Sequence, residues 1–142
     1  MGSINSPRGM TLIELIVCTV IIGILSATAL PLSRHIVRRE KEEALRENLK
    51  SLRQGIDRYH DLMRRKNPEA AEHDCYPRRL EDMVENRILR RIPNDPMTNS
   101  PKWLTRSTLD PLNASYTDGM NVFDVFSSSN EKSFDGTPYS NW

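Results

Sequence analysis

Three adjacent side chains, those of His73, Asp74 and Cys75, are of the types that bind metal ions or carry redox chemistry. Imidazole, carboxylate and thiolate groups are common zinc ligands, but residues this close in sequence seldom converge on one ion without further ligands. The other histidines, His35 and His60, fall on a predicted long helix, where solvated positions are expected. The trio therefore gives only a weak indication of a metal or redox site.

Other signatures of catalysis are missing from the sequence. It contains no CxxC pair, glycine-rich phosphate loop or nucleophile elbow. Cys18 lies in an apolar stretch as a small filler, and Cys75 lies in a polar region, where a thiol is reactive only if exposed. Asn113 starts a glycosylation pattern that matters only in a eukaryotic secretory route. We expect a protein that is not an enzyme.

One carboxylate, that of Glu14, lies just inside the start of the apolar stretch TLIELIVCTVIIGILSATALPL. Residues 15–32 carry no charge, and roughly 20 apolar residues are enough for a helix to cross a bilayer. A charged group in hydrocarbon costs free energy, so Glu14 must either reach the headgroups or find a partner. The sequence alone leaves both explanations open.

Two other roles for the N-terminus compete with a permanent anchor. Small residues at Ser26, Ala27 and Ala29 follow the apolar core, as they do before the cleavage site of a secretory signal peptide. The start MGSINS also fits the N-myristoylation pattern, with Gly2 as the acceptor. Neither alternative explains the position of Glu14.

A helical stripe of apolar residues continues beyond Pro31, which is expected to kink the helix. Spacings of three and four residues join the members of this stripe and predict helix through about Arg65, before Asn67 and Pro68: Leu45, Leu49, Leu52, Ile56, Tyr59 and Met63. The opposite face is expected to be solvated and charged, with i,i+4 pairs such as Glu42 with Arg46 and Asp61 with Arg65.

Shorter elements are predicted after Pro68. Residues 80–89 have one apolar face and predict a short second helix, whereas the prolines in residues 92–115 predict mostly loop. Residues 120–127 predict a strand. The turn-rich tail contains Phe134, Tyr139 and Trp142, and we expect these aromatic residues to fold it back onto the sheet.

Charge is divided unevenly between the two parts that follow the apolar stretch. Residues 34–66 contain 11 Lys/Arg and 6 Asp/Glu, a net of +5, and residues 67–142 contain 8 and 12, a net of −4. Opposite charges would suit lateral contacts between copies, although two solvated surfaces also explain them. The overall charge is only +1, and no aromatic residues are interspersed among the basic residues in the pattern typical of nucleic-acid binding. Both observations argue against a nucleic-acid partner.

The motif Gly9-Met10-Thr11-Leu12-Ile13-Glu14, with a polar leader before it and Pro31 further along, resembles the class III signal of type IV pilins and type II secretion pseudopilins. Further segments resemble the major pseudopilins: Tyr76-Pro77, Leu80-Glu81-Asp82-Met83-Val84, Ile92-Pro93-Asn94-Asp95-Pro96, Trp103 and Asp135-Gly136-Thr137-Pro138-Tyr139-Ser140-Asn141-Trp142. Together these segments cover most of the chain.

The resemblance implies how the N-terminus is processed. In such proteins a membrane peptidase cuts after the glycine that matches Gly9, on the cytoplasmic side, and N-methylates the next residue, here Met10. Cleavage creates a new α-amino group on one subunit. In such proteins this group pairs with a carboxylate on the neighbouring subunit, at the position that matches Glu14. Glu14 and Pro31 are therefore expected to serve assembly, and the apolar stretch remains as an anchor.

Membrane topology is a point on which two indications disagree. The positive-inside rule favours a cytoplasmic location for the side that contains Arg34, Arg38 and Arg39, because only Arg8 precedes the apolar stretch. The leader motif must instead face a cytoplasmic peptidase. We follow the motif and expect a single-pass protein of the bacterial inner membrane with its C-terminal domain in the periplasm.

The same resemblance raises calcium binding. Major pseudopilins often bind Ca²⁺ in the loop before the C-terminus, and Ca²⁺ takes six to eight oxygen ligands. This loop offers Ser129, Asn130, Glu131 and Asp135, of which only Asp135 matches the family pattern. Calcium at Asp135 is an expectation from the resemblance, with a loop held by Tyr139 and Trp142 as the alternative.

The predicted architecture is α+β: a long N-terminal helix, membrane-spanning in its first half, packs on a small antiparallel sheet with a short second helix and an ordered C-terminal loop. The expected parts are a cleaved leader (1–9), a transmembrane and filament-core helix (10–33), an amphipathic second half of that helix (34–66) and a periplasmic head (67–142).

The expected function is that of a structural subunit that polymerises into the pseudopilus of a type II secretion system. Its partners would be other copies of itself, prepilin peptidase, an inner-membrane assembly platform, minor pseudopilins and the membrane. Two alternatives remain open. One is a pilin of a type IV pilus or DNA-uptake filament, and the other is a single-pass protein that binds a ligand or partner without polymerising.

Overall fold

A computed structural model describes residues 9–111, 117 and 119–142, and the side chains of residues 28–34 lie outside that description. Its described elements are helix α1 (Leu12–Lys66), helix α2 (Glu81–Glu85), strands β1 (Trp103–Arg106) and β2 (Asp124–Ser127), and short 3-10 turns at Glu72–Cys75 and Tyr139–Asn141. The chain divides into two compact units, Met1–Arg39 and Glu40–Trp142. The predicted α+β architecture is confirmed.

The apolar stripe of α1 forms the centre of the second unit. Leu45, Leu49, Leu52 and Ile56 are each at most 2% exposed, and Tyr59 packs against the edge of this core. The helix ends at Lys66, immediately before Asn67 and Pro68, as predicted. Residues spaced by three and four share one helix face, which is why this stripe meets the remaining elements as a continuous ridge.

Two residues of α1 are placed differently from the prediction. Glu42, expected on the solvated face, is 9% exposed and accepts hydrogen bonds from Tyr139 Oη at 2.7 Å and from Phe134 N at 3.3 Å. His60, also expected to be solvated, is half-buried and stacks on the Tyr76 ring with the centroids 4.5 Å apart. Both corrections have one cause: segments far along the chain cover these positions.

Helix α2 is shorter than the predicted helix at residues 80–89, because it ends in a Schellman turn. Ile88 N donates to Met83 O at 2.9 Å and Arg87 N donates to Val84 O at 3.0 Å, with Arg87 in a left-handed conformation at φ 58°. Gly55 allows α2 to approach α1 closely, since a Cβ there would lie 3.2 Å from Met83 Sδ.

The antiparallel sheet pairs β1 with β2 in a register that runs from Trp103 opposite Ser127 to Arg106 opposite Asp124. The strand β2 lies within the predicted strand, but β1 falls in a region that was predicted to be mostly loop. Trp103 is buried there, and its indole N–H donates to Pro93 O at 2.9 Å. Packing of this one large side chain holds β1 on the core.

The C-terminal segment folds back onto the sheet and α1, as predicted. Tyr139 is fully buried, and Trp142 packs on it edge to face with the ring centroids 5.1 Å apart. Arg53 of α1 joins three partners: it donates to Asp124 Oδ1 at 2.7 Å, to Trp142 O at 2.8 Å and to Val125 O at 3.0 Å. Phe134, by contrast, stays 48% exposed.

Candidate assembly site

The start of α1 is built around Thr11 and Glu14. Glu14 N donates to Thr11 Oγ1 at 3.3 Å, and Leu15 N donates to Thr11 O at 3.1 Å, so Thr11 is the N-cap and Glu14 is the third helical residue. Thr followed three residues later by Glu is the capping-box pattern. An acidic residue in the first turn also interacts favourably with the helix dipole. This capping role was not predicted, although the Thr-x-x-Glu pattern is visible in the sequence.

The predicted processing residues precede this cap. Gly9 and Met10 are exposed and lie outside the helix, so the bond between them is not part of a hydrogen-bonded helical turn. An α-amino group at Met10, if cleavage after Gly9 creates one, would be a cation. A carboxylate in the first turn and such a cation immediately before the helix would be complementary charges at one end of α1.

The side chains on both sides of Glu14 in the sequence are mostly apolar, and they are exposed in the described part of the chain. Ten of these side chains are 46–78% exposed, and they are distributed around all sides of the helix: Leu12, Ile13, Leu15, Ile16, Val17, Val20, Ile21, Ile22, Ile24 and Leu25. A helix that is apolar on every side is normally buried, either in a membrane or among other helices. This segment therefore needs a cover that the described residues of one chain do not supply.

Within the described residues, no helix is long and apolar enough to cross a membrane. The transmembrane assignment of residues 10–33 stays a prediction. The backbone is helical at Pro31, but its side chain lies outside the described set, and the kink predicted there also stays a prediction.

The His73, Asp74 and Cys75 trio does not converge. His73 Nε2 lies 3.7 Å from Asp74 Oδ1, while Cys75 is 1% exposed and its Sγ donates to Ala71 O at 3.6 Å. The described part of the chain contains no group of three or more His, Cys, Asp or Glu side chains that could hold a metal ion. Burial of Cys75 also removes it as a surface thiol. Asn113 lies outside the described residues.

Many oxygen atoms of the loop that contains Asp135 accept hydrogen bonds from other residues of the same segment. Ser129 Oγ accepts from Glu131 N, Ser133 Oγ and Thr137 Oγ1 lie 2.9 Å apart, and Glu131 O accepts from Tyr139 N. Glu131 and Asp135 are exposed carboxylates, and two carboxylates fall short of the ligand number that Ca²⁺ requires. Calcium at Asp135 stays a prediction.

Comparison with known proteins bears on this same N-terminal segment. The family model described as "Prokaryotic N-terminal methylation motif" matches residues 4–30. The chain carries this motif. It indicates a type IV pilin-like substrate of prepilin peptidase, and it implies a membrane-anchored N-terminus and pilus-like polymerisation. Comparisons with curated proteins and with solved structures give no significant match.

Proposed function

We propose that this chain is a structural subunit of a periplasmic pseudopilus in a type II protein secretion system, whose growth helps to drive folded proteins across the outer membrane. Residues 10–33 anchor it in the bacterial inner membrane, and residues 34–142 lie in the periplasm. Its partners are other copies of itself, prepilin peptidase, the assembly platform and minor pseudopilins.

The observation that carries the proposal is the combination of the methylation motif at residues 4–30 with an uncovered apolar helix that begins at a single carboxylate. Pairing of Glu14 with a neighbour's α-amino group offsets the cost of a charge in hydrocarbon, which is about 2.5–3.5 kcal/mol at mid-membrane and less near its edge. A lone subunit keeps that cost, so the carboxylate favours subunits in register.

A pilin of a type IV pilus or DNA-uptake filament would carry the same motif. The later segments that resemble major pseudopilins favour the secretion system, and the genes that neighbour this one would separate the two uses. Both uses share the polymerising mechanism that is proposed here.

Intact-mass analysis of the membrane-extracted protein tests the processing step. We expect a chain that begins with N-methylated Met10, and cells without prepilin peptidase supply the unprocessed control. A mass that matches cleavage after Ala27 or Ala29, or an acylated Gly2, would contradict the proposal.

Electron microscopy after overexpression tests polymerisation. Filaments should form from the processed protein and be missing in the peptidase-deficient control. A processed, membrane-bound chain that never forms filaments would support the non-polymerising alternative.

Calcium at Asp135 is a subsidiary proposal that follows from the resemblance. If it holds, the Tm of the detergent-solubilised protein rises with added CaCl₂ relative to EGTA, and Asp135→Asn abolishes that rise. An equal Tm in CaCl₂ and EGTA would leave the loop held by Tyr139 and Trp142 alone.

A further inference from the structure

An arginine cluster, formed by Arg87, Arg90 and Arg91, follows α2. Residues 86–94 contain these three arginines and no acidic residue, and all three side chains are exposed. Among the described residues, none of the three guanidinium groups is in a salt bridge. The cluster is therefore a concentrated positive charge that forms no salt bridge within the described part of the chain.

Arg87 occupies a backbone position that favours glycine. It is the C′ residue of the Schellman turn that ends α2, with φ at 58°, and non-glycine residues are strained in this conformation. A strained residue with an exposed, unpaired charge is a candidate for a role other than folding. This observation is independent of the charge count.

A glutamate stripe, formed by Glu40, Glu43 and Glu47, lies on α1 at a spacing of three and four residues. Successive residues turn by 100° around an α-helix, which places this stripe about 180° away from the buried leucines at 45, 49 and 52. The three side chains are exposed. No described residue forms a salt bridge with any of them.

The contacts of residues 86–94 with α1 place the two charged surfaces relative to each other. Leu89 lies against Gly55, and Asn94 O accepts from Asn48 Nδ2 at 3.0 Å, so the cluster lies beside residues 48–55 of the helix. That flank is about 100° around the helix from the stripe and roughly 12 Å further along it. The two surfaces therefore differ in both direction and height.

We propose that the arginine cluster of one copy binds the glutamate stripe of the next copy in the filament. This inference rests on the proposed function. Three unpaired cations and three unpaired anions are complementary, and guanidinium groups pair well with carboxylates. Because the two surfaces are different and offset, the contact is heterologous, and repeated heterologous contacts that do not close into a ring produce open helical filaments. Complementary charge fixes the register between neighbours.

Charge reversal on each surface, alone and together, tests the contact in the full chain. We expect Arg90→Glu with Arg91→Glu, or Glu43→Arg with Glu47→Arg, to reduce filament yield about tenfold or more at equal protein level. The combined four-substitution variant should restore most of the yield, since each surface again meets its opposite charge. Arg64→Glu with Lys66→Glu, on exposed residues at the end of α1, is the matched control and should retain wild-type yield.

Arg87→Gly separates a binding role from a folding role. Glycine relieves the left-handed strain, so the Tm should rise by about 3 °C. Filament yield should nevertheless fall, because the cluster loses a cation. A rise in Tm together with normal filament yield would show that Arg87 takes no part in the contact.

Two further outcomes would overturn the inference while leaving the proposed function intact. One is wild-type filament yield from both charge-reversed variants. The other is a failure of the combined variant to recover while its Tm stays that of the wild type. Unchanged filaments together with lost binding to a duplex DNA probe would assign the arginines to a polyanion instead.

Discussion

At the scale of single residues, Glu14 has one observed role within the chain and one proposed role between chains. Its backbone N–H and its position complete the cap on Thr11, which contributes to the start of α1 in every copy. Its charge is available for a neighbouring α-amino group. Capping acts within a chain and pairing acts between chains, so substitutions that remove only one of them have different consequences.

Substitutions at Glu14 and Thr11 separate these roles. Glutamine also fits the third position of a capping box, so Glu14→Gln should keep the helix start and still lose nearly all filaments, as Glu14→Ala does. Thr11→Ala weakens the helix start by about 1 kcal/mol but keeps the charge, and it should retain most filaments. Filament yield at equal membrane protein level is the measurement. A wild-type yield from Glu14→Ala would show that the carboxylate has no part in assembly.

Two phenols give the second unit a dependence on alkaline pH. Burial raises the pKa of Tyr59 above its usual value of 10.0, and the Asp82 and Glu85 carboxylates raise it further against a smaller lowering by Arg78. Burial, followed by the Glu72 and Asp57 carboxylates, likewise raises the pKa of Tyr76. The folded state thus favours the neutral phenol.

The free energy of unfolding should therefore be unaffected by these groups below pH about 10 and fall as the pH rises through their higher folded-state values. Chemical unfolding of the solubilised protein at a series of pH values tests this. The variant with Tyr59→Phe and Tyr76→Phe should show a smaller fall. An identical fall in the variant would assign the alkaline loss to other groups.

At the scale of elements, periodicity predicted the inner face of α1 well. The leucines of the stripe are buried because a helix repeats its face every three to four residues, and this property is local. The burial of Glu42, by contrast, depends on contacts that are distant in sequence. Its partner Tyr139 lies 97 residues away, and no pattern within the helix identifies a position that the C-terminal segment covers.

The strand β1 shows the same limit in the sheet. Its four residues lie between prolines and do not alternate cleanly between apolar and polar side chains, so the sequence predicted a loop. Long-range contacts create the strand: Trp103 reaches Pro93 O, and buried Asp95 accepts from Ser127 Oγ at 2.7 Å. The N-terminal methylation motif was predictable, by contrast, because residues 9–14 are contiguous.

Arg53 is the element-scale link between α1, β2 and the C-terminal segment. Its three hydrogen bonds include a charge-assisted pair with Asp124, in which the Arg53 side chain is 39% exposed. Arg53→Met should lower the free energy of unfolding by about 1–2 kcal/mol, a moderate loss because solvent screens part of the interaction. Lys50→Met, one turn away and exposed, is the control and should change stability little. Equal losses from both variants would reduce Arg53 to an ordinary surface residue.

The whole molecule combines an uncovered apolar segment with a folded second unit that carries its own core. Neither the core nor the sheet requires a second copy, since the core residues are buried by contacts within the second unit. The apolar segment does require a cover. This division suits a protein that folds as a monomer and then assembles through its N-terminal helix and its charged surfaces.

Orientation in the membrane is the property of the whole chain on which the motif and the positive charges disagree. The leader must reach a cytoplasmic peptidase, so we expect the second unit to lie in the periplasm in spite of Arg38 and Arg39. Lys102→Cys places a thiol at an exposed site beside β1. A maleimide that enters the periplasm but not the cytoplasm should label this variant in intact cells. The wild type should remain unlabelled in both orientations while folded, because Cys75 is buried and Cys18, which is exposed in the single chain, lies in the apolar stretch that is expected to be embedded in the membrane. Labelling of Lys102→Cys only after lysis would show that the chain has the opposite orientation, with the second unit outside the periplasm.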